Sequence, residues 1–396
     1  MFRVILVVLL LAMVSPVHGG EADLSGSVAM QARLFWNDPA WAGQNDEVVL
    51  GSIISELEFG WYDESGRQRV SVVPMLRWDG QDAERNLFDL QEAFWALEGG
   101  AYELLIGANT VFWGVTESVH LVDIINQTDF AGDIDGENKL GQPMVSLTLQ
   151  RDWGELAAFV LPLFRERTFA GNNGRFRLPL PVDAGRAVYE SSDGDRHVDL
   201  ALRYSHYIGD ADVGLSLVSG TNREPRLVPA ADGQALVPHY DQIRQFGVDL
   251  QYTKDAWLWK LEAFARDGQA GWYTAAVAGF EYTLYQVGES AADLGILLEV
   301  QYDGRGQSEP VTLADNDVFV GTRLALNDVQ DTAVLAGFAY DVDTDEILLT
   351  IEAERRIGEN WFVELRARDF SGSEPGDSGY WLQRDGYVEV EFARFF

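Results

Sequence analysis

The chain has 396 residues, 47% of them apolar and 12% aromatic, so it can bury ample surface and falls outside the disordered class. It contains no cysteine, which excludes a disulfide framework, a thiolate metal site and a thiol nucleophile. Its formal charge of -34, from 63 acidic against 29 basic residues, repels phosphate and argues against nucleic acid as a partner.

Residues 1–19 have the parts of a cleaved secretory signal. Arg3 supplies the positive end, Val4 to Val14 form an apolar run, Ser15 and Pro16 break it, and Val17-His18-Gly19 precede a cleavage point. The run is shorter than the roughly 20 apolar residues of a helical span. No cysteine follows it, so no lipoprotein anchor is expected. Residues 20–396 are expected to form one exported domain of a bacterial envelope.

From there on the period is two. Residues 24–36 place Leu24, Val28, Met30, Leu34 and Trp36 on one face, with Ser25, Ser27, Gln31 and Arg33 on the other. The same alternation predicts strands at 24–36, 47–62, 68–78, 88–97, 101–109, 143–150, 155–164, 197–207 and 212–220. It continues at 242–253, 257–266, 273–284, 291–303, 316–327, 332–341, 346–355, 361–370 and 384–396. Segment 88–97 is ambiguous, because Glu92 shares a face with Leu90 and Phe94. Tight turns alternate with longer connections, the longest at 110–142, 165–196 and 221–241. This asymmetry predicts an all-β fold, a single transmembrane antiparallel β-barrel of about 18 strands, or 16 if two weak segments fail. Short periplasmic turns, longer external loops and two periplasmic termini go with it.

The aromatic positions point the same way. Trp36, Trp78, Tyr302 and Tyr340 fall at expected external strand ends, and Trp61, Tyr102, Tyr204, Tyr252, Trp257, Tyr282 and Trp361 at expected periplasmic ends. Two such bands suit two membrane interfaces, and no repeat of fixed spacing suggests a propeller or solenoid. The last segment alternates Val388, Val390, Phe392 and Phe396. A terminal aromatic strand of this kind is an address for the outer-membrane barrel-assembly machinery. The expected location is the Gram-negative outer membrane, with lipid and lipopolysaccharide as partners; a monomer and a homo-trimer are both compatible.

If the apolar faces meet lipid, the opposite faces line the lumen. They carry Arg33, Arg69, Arg77, Arg203, Arg266, Arg323, Arg366 and Arg368, with Glu56, Glu58, Glu103, Asp199, Asp249, Glu262, Glu299, Glu352, Glu364, Glu389 and Glu391. Burying so many unpaired charges costs several kcal/mol each, so the lumen is expected to be wet or braced by ion pairs. Of these, Arg33, Arg69, Arg77, Arg203, Arg323, Arg366, Arg368, Glu56 and Glu299 are the candidate pore-lining set, since fixed charges across a pore set ion preference.

Segment 110–142 is too apolar in its first half to hang in solvent. Val119, Leu121, Val122, Ile124 and Ile125 suggest one or two helical turns packed on the inner wall. The segment is therefore a candidate constriction loop folded into the lumen, with Trp113, Glu117, His120, Asp123, Asp129, Asp133 and Asp135 near the narrowest point; an external cap is the alternative. The Asp133–Gly136 stretch hints at Ca²⁺ but lacks the ligand spacing of an EF-hand loop, and no metal or cofactor is expected.

The stretches W-G-V-T-E-S (Trp113 to Ser118) and D-I-I-N-Q-T-D (Asp123 to Asp129) resemble a motif of uncharacterised Gram-negative outer-membrane barrel families, in which an acidic residue follows W-G and I-N-P-x-D comes next. Here Gln127 stands where many relatives have Pro. G-V-D-L-Q-Y (Gly247 to Tyr252) and W-L-W-K-L-E-A (Trp257 to Ala263) are similar to stretches of the same proteins. The resemblance implies a porin-like barrel and no known substrate. The P-E-F-G-type constriction motif of general trimeric porins is absent.

No catalytic set stands out. Ser118, His120 and Asp123 are too close in sequence to align as a hydrolase triad, so no enzyme is expected. The function expected is a porin-like channel for passive or selective diffusion of small hydrophilic solutes or ions. The alternatives are an uptake channel for hydrophobic compounds and a non-transporting structural or adhesion barrel.

Overall fold

The computed structural model describes residues 20–396, so the signal predicted at 1–19 lies outside the described residues. The alternating segments form β1 (Glu21–Phe35), β2 (Val49–Tyr62), β3 (Gln68–Asp79), β4 (Leu87–Glu98), β5 (Tyr102–Asn109), β6 (Gln142–Arg151) and β7 (Gly154–Leu161). After the two-residue β8 (Val188–Tyr189) come β9 (Asp199–Ile208) and β10 (Ala211–Thr221), then the short β11 (Arg226–Pro229) and β12 (Leu236–Tyr240). The rest are β13 (Gln242–Lys254), β14 (Trp257–Gly268), β15 (Gly271–Leu284), β16 (Asp293–Asp303), β17 (Asp317–Ala325), β18 (Ala333–Asp341), β19 (Ile347–Ile357), β20 (Trp361–Ser371) and β21 (Tyr387–Phe395).

Eighteen of these strands pair antiparallel with their neighbours around a closed barrel, and β21 returns to pair with β1. At the seam Gly26 and Phe396 exchange two backbone hydrogen bonds, of 3.1 and 3.0 Å. Closure leaves no strand edge unpaired, which a bilayer core requires because it offers no hydrogen-bond partner. All eighteen alternating segments of the sequence are barrel strands, with ends shifted by a few residues.

Strand pleating sends alternate residues to lipid and lumen. On β1, Leu24, Val28, Met30 and Leu34 are exposed outward while Gln31 and Arg33 are buried inside. On β13 the outward face runs Arg244, Phe246, Val248, Leu250, Tyr252 and Lys254, an apolar band with a cation at each end. Outward Trp257 and Tyr282 pack at 4.6 Å near one rim, and Trp361 stacks on Phe392 at 4.6 Å.

The ambiguity in β4 is resolved by a bulge. The β3–β4 register shifts between Val73 and Pro74, pairing them with Glu92 and Leu90 and leaving Gln91 over. The extra residue changes the face. Leu90 then points to lipid, while Glu92 points inward and accepts a 2.6 Å hydrogen bond from Ser71.

Long connections collect at one end of the barrel. They include 36–48, 110–141, 162–198, 222–241, 304–316 and 372–386. There β8, β11 and β12 form a separate three-stranded sheet that the sequence pattern did not disclose. The helical turns expected at Val119–Ile125 are not formed; the segment runs as bends and turns.

Candidate functional site in the lumen

Loop 110–141 leaves and re-enters the wall through one neck, and Asn126 holds that neck. The Asn126 Oδ1 accepts from the Val111 N–H at 2.8 Å. Its Nδ2 donates to the carbonyls of Asn109 and Leu140, at 2.9 and 2.8 Å. From the neck the loop crosses the lumen. Trp113 is buried edge-on to Phe159 of β7 at 5.7 Å, with the Arg203 guanidinium 5.0 Å over its ring. Ile124 and Ile125 join the same cluster with Val218 and Ile243.

The loop tip docks on two wall carboxylates on the far side. Glu262 of β14 accepts from the Val115 and Thr116 amides at 2.7 and 3.0 Å, and from the Val122 amide at 3.2 Å. Glu299 of β16 accepts from the Glu117 and Ser118 amides at 2.9 and 2.8 Å, and from the Ser118 hydroxyl at 2.5 Å. Both glutamates are buried, at 0% and 1% exposure. These bonds bear on the missing helix: within the expected segment the Val122 amide goes to Glu262 instead of a carbonyl four residues back, and the amides of Val115–Ser118 just before it are held by side chains as well. Glu117 itself pairs with Arg323 of β17 and lies 3.6 Å from Lys260.

The W-G pair of the motif has a steric reason. A Cβ on Gly114 would lie 2.9 Å from His120 Nδ1 and 3.1 Å from Glu262 Oε1. His120 stands between two carboxylates, 3.3 Å from Glu137 and 3.7 Å from Glu262, with its ring edge-on to Phe112. Burial disfavours the imidazolium, yet the two carboxylates outweigh it and raise the pKa to about 10.

The second half of the loop meets the opposite wall through its aspartates. Asp129 pairs with Arg77 of β3 at 2.7 Å. Asp133 pairs with Arg33 of β1 at 3.1 Å and lies 3.9 Å from Arg366. Asp135 is 3.6 Å from Arg368 of β20. Asp123 stays within the loop, 3.0 Å from Lys139. Burial raises the Asp133 pKa, but Arg33, Arg366 and Arg368 outweigh it and hold the group low; beside it Asp135 is pushed up by burial and by the Asp133 charge. Loop 162–198 packs on this half, with the Thr168 hydroxyl donating to Asp129 at 2.6 Å.

The candidate lining residues divide into two groups. Arg33, Arg77 and Glu299 are buried under the loop, and Arg203 is largely covered by Trp113 and its partner Asp249. Arg368 is also mostly covered, between Glu352 and Asp135. Glu56, Arg69, Arg323 and Arg366 keep contact with water. Glu262 counted in the sequence only as one inward carboxylate among many, and Asn126 carried no signal beyond its place in the motif.

No protein-family model matches the chain, and no curated protein matches it in sequence. Solved structures do resemble it. A BenF-like porin from Pseudomonas fluorescens Pf-5 superposes with a TM-score of 0.54 at 10% identity, over 96% of this chain and 99% of that one. The fold is that of the outer-membrane β-barrels. OpdQ from Pseudomonas aeruginosa gives a TM-score of 0.55 at 12% identity, over 95% of this chain and 97% of its own. Wzi from Escherichia coli, a carbohydrate-binding β-barrel involved in group 1 capsule assembly, gives 0.56 at 9% identity, over 95% and 84%. At these identities the likeness concerns the fold, and the loop motif remains a resemblance.

Proposed function

We propose that the chain is a porin-like channel of the Gram-negative outer membrane that passes small hydrophilic solutes or ions without making or breaking bonds. Loop 110–141 is its constriction, and the path runs between the loop's free edge and the wall of β17–β20. One observation carries the reading: charged side chains inside the barrel touch water below, beside and above the loop. Arg69, Glu103 and Glu352 are 39%, 37% and 39% exposed on the wall. Arg323 and Glu137 are 40% and 59% exposed at the loop, and Glu224 is 35% exposed beyond it. A sealed core would not leave them hydrated.

The turn-side half of the lumen favours cations. Inward Glu56, Glu58, Glu92, Glu103, Glu281, Glu354, Glu364 and Glu391 outnumber the inward Arg69, Arg203, Lys260, Arg323 and Arg366 of that region, and an excess of fixed charge of one sign enriches its counter-ion. The proposed partners are membrane lipid, lipopolysaccharide and, through Phe396, the barrel-assembly machinery; the assembly is a monomer or a homo-trimer.

Vesicle swelling tests the reading. Liposomes holding folded protein are expected to swell in small neutral sugars, more slowly as the sugar grows. Vesicles that hold folded barrel and swell no faster than protein-free ones would overturn it and favour the non-transporting alternative, for which the packed apolar clusters beneath loops 110–141 and 162–198 already speak.

A further inference from the structure

Two buried carboxylates on one wall collect amides from a single short segment. We infer that Glu262 and Glu299 are positioning residues, a two-point latch that pins the loop tip to β14 and β16 and so sets the width of the gap beside β17–β20. This inference rests on the channel reading. Neither group is free to line a path, since each is fully buried and its oxygens face the loop.

The latch is built from both sides. The tip offers Val115, Thr116, Glu117 and Ser118 amides in succession, and successive amides of one segment form a concave anion receptor. The wall is cut away beside Glu299. A Cβ on Gly279, the residue paired with Glu299, would fall 2.6 Å from Glu299 Cγ. The loop also comes close where it returns, since a Cβ on Gly247 would meet Val122 Cγ1 at 3.2 Å. At and just after the tip contact stand the groups that edge the gap: Glu117 bound to Arg323, and His120 beside Glu137. Hydrogen bonds to an ionised carboxylate are the stronger kind, so neutral glutamine of the same shape weakens the dock without opening a cavity.

The test compares the wild-type barrel with the E262Q/E299Q variant in lipid, by amide hydrogen exchange at Val115–Ser118 and by single-channel recording. We expect tip exchange at least tenfold faster in the variant, with strand amides unchanged, and a larger, noisier open-channel current. E64Q, which neutralises an exposed carboxylate in the turn between β2 and β3, should leave tip exchange and current noise as in wild type. Unchanged tip exchange in the folded variant overturns the latch, whether or not the barrel conducts. Faster exchange with unchanged current overturns its control of the gap. A folded wild-type barrel that is silent, with exchange still faster in the variant, supports the latch and overturns the channel reading and the gap together. If the double variant fails to fold, E299Q alone provides the same comparison.

Discussion

Asn126 satisfies three backbone groups that would otherwise be buried at the loop neck without partners. Leaving a buried donor or acceptor unsatisfied costs about 1–3 kcal/mol. Asn126→Ala should therefore loosen loop 110–141 while the barrel stays folded. Limited proteolysis should cut the variant within the loop at least tenfold faster than wild type; equal rates would contradict the neck. His120 adds a pH dependence. Its folded pKa of about 10 exceeds the ordinary 6.5, so its contribution is complete below about pH 6.5 and is lost as pH rises through 10. Glu137 and Glu262 face it directly, with Asp123 nearby. Amide exchange at Val119–Leu121, corrected for intrinsic rate, should accelerate between pH 8 and 10 in wild type, and H120Q should lack that step. A step of equal size in the variant would remove His120 as its cause. At this scale the sequence was only partly legible. Trp113, Glu117, His120 and the aspartates stood out by type and spacing, but apart from Glu137 and Lys139 within the loop their partners lie on the barrel wall, distant in sequence. That Arg33 would be buried against Asp133 and Glu389 depends on the closed topology, which alternation alone does not supply.

Strands were more legible, because a two-residue period marks both the element and its lipid face. That face assignment makes a prediction on β13. Val248 points outward into the apolar band and Gln251 inward, so Val248→Arg should destabilise the barrel by about 2–4 kcal/mol in lipid, as a cation at mid-bilayer does. Gln251→Arg should change it far less. Reversible denaturant unfolding in vesicles measures both, and equal losses would contradict the sidedness. Two features escaped the period. The β4 face turned on one leftover residue, Gln91, visible only in the register against β3. The sheet of β8, β11 and β12 escaped because β8 is two residues long and pairs with a strand about fifty positions away. The expected helix at Val119–Ile125 failed for a related reason: its Val122 amide is claimed by Glu262, and the Glu117 and Ser118 amides just before it by Glu299, both far off in sequence.

For the whole molecule, the closed wall of 18 strands, the loop across the lumen and the wet charges around it combine into one claim, a hydrophilic path with a constriction. The acid-rich turn side adds a sign to it. Single-channel recording of the purified barrel in a planar bilayer, under a salt gradient, tests that claim most directly. The account predicts steady ohmic openings with a reversal potential displaced toward that of the cation. A barrel that is folded and inserted yet passes no current would contradict it.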